Sequence, residues 1–397
     1  MAFRSSATAL AIKVQSAVDV AATIATPADL ISCYDLRPSV ENYTLANPEY
    51  TGTVDRPGDF VLGRGRSITF NVVLRGPGGS APPAADAFVL GRILRAARFA
   101  EISQATPLLA SGAITTGTTT SGILPAGASA VDDFYNGLPA ILSDQGAGVR
   151  ALTMIRDYVG SSRLATFMET FGAAPAANVT IPAFLAYRYN ASAPDVYLSA
   201  DFWLDKKRYK MLNGVVSGLQ FNFPVSNRGD TAVTYLAVTL TGDVATTGSE
   251  VDEAAPVVPS QGGIPPFRDG DAWLANKAVC GSSFTADMGI RVAYPPCPGK
   301  PTGAEAPQIV ETRRSASMTL NETLLTAQDF NALADAQNYH GLWLQYGNAT
   351  GKTVSFGITD GRLGYSEADP SGEFVTRSPE MYIDGAEKAV SLVFPYY

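Results

Sequence analysis

The chain has little of what catalysis or metal binding requires. Its 397 residues include a single histidine, His340, and three widely spaced cysteines, Cys33, Cys280 and Cys297. No CxxC pair occurs for zinc, and an odd number of distant cysteines gives no disulfide framework, so we expect reduced thiols. Cys280 and Cys297 could still pair. Because no ligand lies at metal spacing from His340 and no GxSxG motif occurs, we predict no cofactor, no metal and no enzymatic activity.

Charge and long apolar runs are scarce as well. Charged residues make up 17% of the chain, and its formal net charge is −8. This balance argues against tight binding of a phosphate backbone, which requires clustered cations, but it suits a surface along which nucleic acid slides. No apolar run reaches the ~18 residues of a membrane-spanning helix. Lys13 and Gln15 interrupt the first apolar stretch, so we expect no membrane association and no signal peptide.

Two acidic positions are interpreted as turns and not as catalytic carboxylates. Asp132 and Asp133 are adjacent in the sequence, and neighbouring side chains in a solvated turn diverge. Asp360 is followed by Gly361 after an alternating run, which predicts a hairpin turn.

Turn residues and alternating apolar residues are abundant, and they favour β-structure. The chain has 37 glycines and 26 prolines, and 46% of its residues are hydrophobic, which is enough to form a core. Apolar and polar residues alternate over residues 215–223, 232–240 and 354–358. This period of two, with turn residues between the runs, predicts antiparallel strands.

One pattern occurs twice and divides the chain. In each copy a strand leads through a turn to an amphipathic helix and then to a strand-rich tail. The strands begin at Ser67 and Ser315, and the helices are predicted over residues 84–99 and 326–337, with Thr326 as the second N-cap. Two copies are too few for a solenoid, so they predict a duplicated domain.

Composition gives the expected domain bounds. Residues 111–187 are rich in Thr, Gly and Ala and predict a small inserted β-module, and residues 251–264 are rich in proline and acids and predict a linker. We therefore expect a first domain at residues 1–110 and 188–250, and a second at residues 265–397.

Several runs in both halves carry a family resemblance. They are Asp55 to Phe70, Leu74-Arg75-Gly76, Leu94-Arg95-Ala96, Phe202-Trp203-Leu204-Asp205 with Gly214-Val215-Val216-Ser217-Gly218, Ala327-Gln328-Asp329-Phe330 and Asp360-Gly361-Arg362-Leu363-Gly364-Tyr365. With these runs the chain resembles tail tube proteins of long-tailed bacteriophages over nearly all residues outside the predicted module. The module resembles a short β-unit that recurs in phage structural proteins, through Ala126 to Gly137 and Gly146 to Arg150, although Asp144-Gln145 departs from its glycine-rich turn.

The resemblance implies a mainly β fold with two tandem β-sandwich or half-barrel domains, each with a flanking helix. Subunits of that family join edge to edge into rings, which stack into the tube that conducts DNA during ejection. A duplicated chain could form trimeric, pseudo-sixfold rings. The implied partners are further copies of the chain, the terminator, tape measure and tip proteins, and DNA that passes without specific binding. The implied location is the virion tail, assembled in the host cytoplasm.

Two consequences of the resemblance concern particular segments. The inserted module should project outside the tube, because the lumen must stay clear, and its deletion should leave tubes forming. The long Pro-containing loops at residues 46–65 and 294–307 should contact the next ring through Tyr50, Arg56 and Tyr294. The alternative is that these loops are disordered. The acidic balance should make the lumen negative. Alternative functions are another neck or tail-tip protein of the same fold, and a carbohydrate-binding β-protein.

Overall fold

The computed structural model describes residues 8–48, 58–143, 151–175, 178–225, 233–244, 248–259, 270–300, 303–325, 327–347, 349–384 and 389–396. Within these residues the chain forms 29 strands and two short helices. The strands build several antiparallel sheets, the largest of which curls into a half-barrel. The predicted fold class, mainly β with flanking helices, is confirmed.

The elements follow one another in four groups. The chain begins with β1 (Thr8–Val14), β2 (Leu30–Ile31), β3 (Tyr34–Leu45), β4 (Phe60–Val73), α1 (Val89–Ala96) and β5 (Phe99–Gln104). A separate sheet follows with β6 (Leu109–Ala113), β7 (Thr115–Thr118), β8 (Ser121–Ile123), β9 (Pro139–Ser143), β10 (Ala151–Val159), β11 (Leu164–Phe167) and β12 (Asn178–Ile181). The chain then returns to the large sheet with β13 (Ala183–Tyr189), β14 (Leu198–Leu204), β15 (Lys207–Pro224), β16 (Tyr235–Asp243) and β17 (Glu250–Asp252). The last group is β18 (Gly270–Leu274), β19 (Lys277–Ala278), β20 (Gly281–Asp287), β21 (Ile290–Ala293), β22 (Gln308–Thr312), β23 (Ser315–Asn321), α2 (Phe330–Asp335), β24 (His340–Tyr346), β25 (Val354–Leu363), β26 (Ala368–Asp369), β27 (Thr376–Arg377), β28 (Glu380–Ile383) and β29 (Val390–Tyr396).

An order of seven paired strands occurs twice in the large sheet. In the first half the order is β2-β1-β14-β15-β16-β4-β3. In the second half it is β19-β18-β24-β25-β28-β23-β20. Each helix follows the same strand of its half, β4 or β23. The repeated sequence pattern thus corresponds to a repeated strand order.

Strand pairing joins the two halves at two places. The C-terminal part of β15 pairs with β20, and β13 pairs with β29. The rings of Phe221 and Phe223 on β15 lie 4.9 and 5.1 Å from the ring of Phe356 on β25. One hydrophobic core therefore runs through both halves.

The large sheet forms two layers around this core. We call β3, β4, β16, the C-terminal part of β15, β20 and β23 the front sheet, and β5, β13, β29, β25, β24 and β18 the back sheet. In β16 of the front sheet, Leu236, Val238 and Leu240 are buried, and the residues between them are half-exposed. In β13 of the back sheet, nearly every residue is buried. Since successive side chains point to opposite faces, the described residues cover the front sheet on one face and the back sheet on both.

The separate sheet has bounds that differ from the predicted module. It spans residues 109–181, which we call the insert. The prediction also placed residues 183–187 there, but they belong to β13, which pairs with β5 and β29 in the back sheet. Because both faces of β13 are buried, its sequence lacks the period of two that would have assigned it to the large sheet.

The predicted linker, residues 251–264, is wrong for its first part. Val251 lies in β17, which pairs with β15. Ala255 N donates to Asp205 O at 2.7 Å, and Ala255 and Val258 pack against the buried Trp203. This segment therefore packs along the β14–β15 hairpin. Residues 260–264 lie outside the described residues.

The helices are shorter than the sequence pattern predicts. The helix predicted over residues 84–99 is confined to α1, and the one predicted over residues 326–337 is confined to α2. Asp329 is the N-cap of α2, because its carboxylate accepts a hydrogen bond from Ala332 N at 3.0 Å. Thr326, the predicted N-cap, lies outside the described residues.

Two turn and loop predictions are also wrong. Asp360 lies inside the continuous strand β25 and not in a hairpin turn, because β25 runs on to pair with β28. Residues 60–65 of the predicted loop 46–65 form the first part of β4, which pairs with β3. Both segments have the local sequence of turns because of their glycines, but pairing with other strands keeps them extended.

Candidate functional site

The uncovered face of the front sheet is lined by short polar side chains. Ile68, Phe70 and Val72 of β4 point into the core, so their neighbours in the strand point outward. The same alternation and the strand registers place a set of hydroxyl and amide side chains on this outward surface, which we call the front face. It comprises Ser67, Thr69, Asn71, Ser217, Gln220, Asn222, Thr239, Thr241, Ser283, Thr285, Ser315, Ser317 and Thr319.

Front-face side chains bond to one another across the strands. The hydroxyl oxygens of Ser217 and Thr241 lie 2.7 Å apart, and those of Thr69 and Thr239 lie 3.4 Å apart. Within β15, Asn222 Nδ2 donates to the backbone oxygen of Gln220 at 3.3 Å. The face thus meets solvent with uncharged hydroxyl and amide groups, several of which are hydrogen-bonded to one another.

Charged residues of the front sheet lie at strand ends and edges. Asp35 and Arg37 belong to the outermost strand β3, and Asp287 ends β20. Asp35 accepts a hydrogen bond from Asn71 Nδ2 at 3.3 Å. A phosphate backbone passing over the centre of this face would therefore meet no concentrated positive charge.

Two arms extend from the same end of the front sheet. The first arm is the continuation of β3 and β4, residues 40–45 and 60–66, and the second arm is the β21–β22 hairpin with its loop at residues 294–307. Gly289 lies at the base of the second arm with a φ of 52°, and a Cβ there would collide with the carbonyl of Arg313. The two predicted contact loops are thus carried by equivalent hairpins of the two halves.

Of the three predicted contact residues, the structure describes Tyr294. Its ring packs edge-on against Tyr43 of the first arm, with centroids 6.3 Å apart. Burial raises the pKa of the Tyr294 phenol, so it stays neutral. Tyr50 and Arg56 lie outside the described residues. The structure therefore places Tyr294 between the two arms of its own chain.

Further contacts hold the described part of the second arm's loop. Glu305 N donates to Pro295 O at 2.8 Å, which closes the loop on itself. Lys300 Nζ lies 2.6 Å from Asp19 Oδ2 in the first half, and this hydrogen bond, with one from Asn213, lowers the pKa of Asp19. This loop is thus connected to both halves of the chain.

Large apolar side chains are exposed at both ends of the front sheet. At the end with the arms, Leu45, Phe60 and Val61 are 54–67% exposed. At the opposite end, beyond β23, Leu324, Leu325 and Phe374 are 70–77% exposed. Glu322 N donates to Val375 O at 3.0 Å, which brings the loops that carry this second set together. We call the two sets the arm patch and the far patch.

The insert covers the outer face of the back sheet. Trp343 and Val393 of the back sheet are buried in one cluster with Met154 and Met168 of the insert. The space for these methionines is left by glycines, since a Cβ on Gly357 would collide with Met154 and one on Gly341 with Met168. Arg156 of the insert donates to the backbone oxygens of Tyr339 and Thr359. The insert is therefore part of the packed structure, on the side opposite the front face.

The residues weighed for catalysis have ordinary structural surroundings. Burial lowers the pKa of His340, and its Nε2 lies 3.4 Å from Leu333 O. Asp132 accepts from Gly160 N at 2.7 Å, and Asp133 accepts from Asn136 Nδ2 at 2.9 Å, so the adjacent carboxylates serve separate partners. Burial raises the pKa of Asp360.

The described part of the chain has no cluster of metal ligands and no membrane-spanning helix. No group of three or more His, Cys, Asp or Glu residues there could hold a metal ion, and all three cysteines are free. Among the helices described, none has the length and apolar character needed to cross a membrane.

No family model matches the chain, and no curated protein matches it either. The functional proposal therefore depends on the strand order, the front face and the exposed ends, together with the sequence resemblance.

Proposed function

We propose that the protein is a structural subunit that assembles into stacked rings and forms the tail tube of a long-tailed bacteriophage. The observation that carries the proposal is the repeated strand order, with its two halves already joined side by side through β15 and β20. Within the described residues, β3 at one side of this array pairs only with β4, and β26 at the other side pairs only with β27. Open strand edges invite pairing with another chain, and three chains would supply six copies of the repeat.

The front face suits the lumen of such a tube. It is lined by uncharged hydroxyl and amide groups, several of which bond to one another within the sheet, and its charges lie at strand ends and on the outer strand β3. DNA moves along a surface of this kind without the counterion release that drives tight binding to clustered cations. The insert lies behind the back sheet, so a front face turned toward the lumen places the insert on the exterior.

The two apolar patches suit stacking along the strand direction. The arm patch and the far patch lie at opposite ends of the front sheet, and they consist of different residues. Contact between unlike patches of successive rings is heterologous and does not close, so it builds a filament. The terminator, tape measure and tip proteins would then bind the two ends and the lumen of that filament.

The decisive experiment is electron microscopy of the purified protein, combined with mass measurement of the smallest ring. We expect hollow tubes whose rings contain three chains. A folded protein that stays monomeric at all concentrations and salt conditions would contradict the proposal. Rings of six whole chains would contradict the trimer alone, and isolated rings that never stack would favour the neck or tail-tip alternative.

A pair of matched variants tests the stacking surfaces. Leu324→Ser with Leu325→Ser removes exposed apolar surface from the far patch, so we expect rings but few tubes. Val131→Ser is the control, because Val131 is 61% exposed on the insert and should leave tubes intact. Normal tubes from the double variant would show that the far patch does not stack.

A further inference from the structure

The repeat allows residue-by-residue comparison of the two halves. Aligning Ser67 with Ser315 matches the buried residues of β4 with buried residues of β23, in the same alternation. In the first half Thr69 lies opposite Arg37 of β3, and in the second half its equivalent Ser317 lies opposite Thr285 of β20. Arg37 is therefore equivalent to Thr285, and β3 is equivalent to β20.

The other side of the repeat can be aligned in the same way. In the first half, Asn222 at the end of β15 and Val73 of β4 lie opposite the same residue of β16, one on each side of it. In the second half, Asp369 of β26 and Asn321 of β23 lie opposite the same residue of β27, one on each side of it. Asn321 is equivalent to Val73. Asp369 is therefore equivalent to Asn222, and β26 is equivalent to the C-terminal part of β15.

The junction within the chain shows how these strands pair. Asn222 lies directly opposite Thr285 where β15 meets β20. The equivalent strands at the outer edges, β26 and β3, belong to opposite sides of the same chain. From this equivalence we infer that β26 of one copy pairs with β3 of the next copy in antiparallel register, with Asp369 opposite Arg37. The inference rests on the proposed self-assembly and adds the register of the junction between chains.

Charge and exposure support this register. Arg37 and Asp369 are both exposed, and they carry opposite charges where the junction within the chain has uncharged Asn222 and Thr285. Directly opposed charges of opposite sign stabilise a cross-strand pair, and a one-residue slip would move one of them to the other face. The register thus selects the correct partner edge.

The core-facing side chains of β3 are also less buried than those of the equivalent strand, β20. Phe284 and Ala286 of β20 are each 2% exposed. Their equivalents are Leu36, which is half-buried, and Pro38, which is exposed. A strand added by the next copy would cover these side chains as β15 covers those of β20.

Two prolines make this junction weaker than the one within the chain. Met288 N donates to Leu219 O at 3.0 Å. Because hydrogen-bonded and non-hydrogen-bonded pairs alternate along an antiparallel ladder, this bond fixes which residue pairs of β15 and β20 are hydrogen-bonded. The equivalent positions between chains include Pro38 and Pro370, and each lacks an N–H donor. Prolines at an edge limit pairing with unrelated strands, so the protein stays soluble until Arg37 of one copy faces Asp369 of the next.

Disulfide trapping tests the register directly. Arg37→Cys combined with Asp369→Cys, in a background with Cys33→Ser, Cys280→Ser and Cys297→Ser, puts two thiols at a non-hydrogen-bonded pair. Such pairs have Cβ atoms ~4.5–5.5 Å apart, close enough for a disulfide after slight adjustment. We expect chains cross-linked into dimers and trimers under oxidising conditions. Ser39→Cys with Asp369→Cys is shifted by two residues and should cross-link much less.

The outcomes separate this inference from the proposed function. Tubes that form normally but show no cross-link, or equal cross-linking in the shifted control, would overturn the register and leave the tube proposal standing. A protein that never assembles would overturn both. As a second measurement, Arg37→Asp or Asp369→Arg alone should raise the concentration needed for assembly by about three- to tenfold, and the double reversal should restore it.

Discussion

The front sheet and the back sheet contain strands from both halves of the same repeat, yet their outer faces differ completely. On the front sheet Gly218 lies beside Thr239 on a polar, uncovered face. On the back sheet Gly357 lies beneath the insert, beside Trp343, whose indole N–H donates to Ser355 Oγ at 2.8 Å. The difference shows that the insert covers the outer face of the back sheet, whereas no other described residues cover the outer face of the front sheet.

Removing the insert would test this contrast most severely. We expect replacement of residues 109–181 by a short linker to give an aggregating protein, because Phe184, Trp343 and Val393 would lose their cover. Each large apolar side chain contributes roughly 1.5–3 kcal/mol when buried, against a total stability of about 5–15 kcal/mol. This expectation reverses the one drawn from the sequence. The measurements are solubility and thermal unfolding.

A soluble deletion variant with cooperative unfolding would contradict the role of the insert as a cover. Adding Phe184→Thr and Val393→Thr to the deletion sharpens the test. These changes should recover part of the solubility if exposure of the back sheet is the cause.

The two glycines provide a matched comparison of smaller size. Gly357→Ala places a methyl group against Met154 in a closely packed seam, so we expect a loss of about 1–3 kcal/mol in the free energy of unfolding. Gly218→Ala places it 3.3 Å from the Thr239 side chain on the open face, where we expect a change below about 1 kcal/mol. Chemical denaturation of both variants measures the difference, and equal losses would mean that the two faces are packed alike.

The seam beneath the insert should also respond to pH. Burial, with the nearby Asp271 carboxylate, raises the pKa of Glu169 to about 7. The folded protein then holds a proton that the unfolded chain releases, so stability falls as pH rises from about 4.5 to about 7. Glu169→Gln should raise the melting temperature at pH 8 and change it little at pH 4.5. An equal gain at both pH values would exclude titration of Glu169 as the cause.

A substitution on the front face should have the smallest effect on stability but a clear effect on the retention of DNA. Thr285→Lys places a cation at a half-buried polar position on the open face, where a long side chain can reach solvent, so the free energy of unfolding should change by less than about 0.5 kcal/mol. Tubes of this variant should retain DNA at low salt and release it at high salt. Thr285→Gln is the uncharged control. If the lysine variant and the control retain DNA equally, the front face does not line the path of DNA.

The sequence predicted β15 and β16 of the front sheet better than β13 of the back sheet, for a physical reason. In β15 and β16 one face is buried and the other meets solvent, so apolar and polar residues alternate. This alternation allows the strands to be predicted from the sequence alone. In β13 both faces are buried, which removes the alternation and led to its assignment to the inserted module.

Long-range pairing accounts for the other errors. Asp360 and Gly361 have the local chemistry of a turn, but pairing of β25 with β28 keeps them in a strand. Arg37 and Asp369 gave no signal in the sequence, because their proposed relation depends on strands that are equivalent only in the folded repeat. Local patterns thus predicted the class of fold, while the strand registers required the structure.

The ladder between β15 and β20 has a consequence for the kinetics of assembly. Because both strands belong to one polypeptide, this junction forms during folding, at an effective concentration that dilution cannot lower. In a ring of three chains, half of the six junctions would therefore exist before any two molecules meet. Nucleation of the ring then requires encounters among three bodies and not six. Its rate should depend on protein concentration far less steeply than in a tube built from unduplicated subunits.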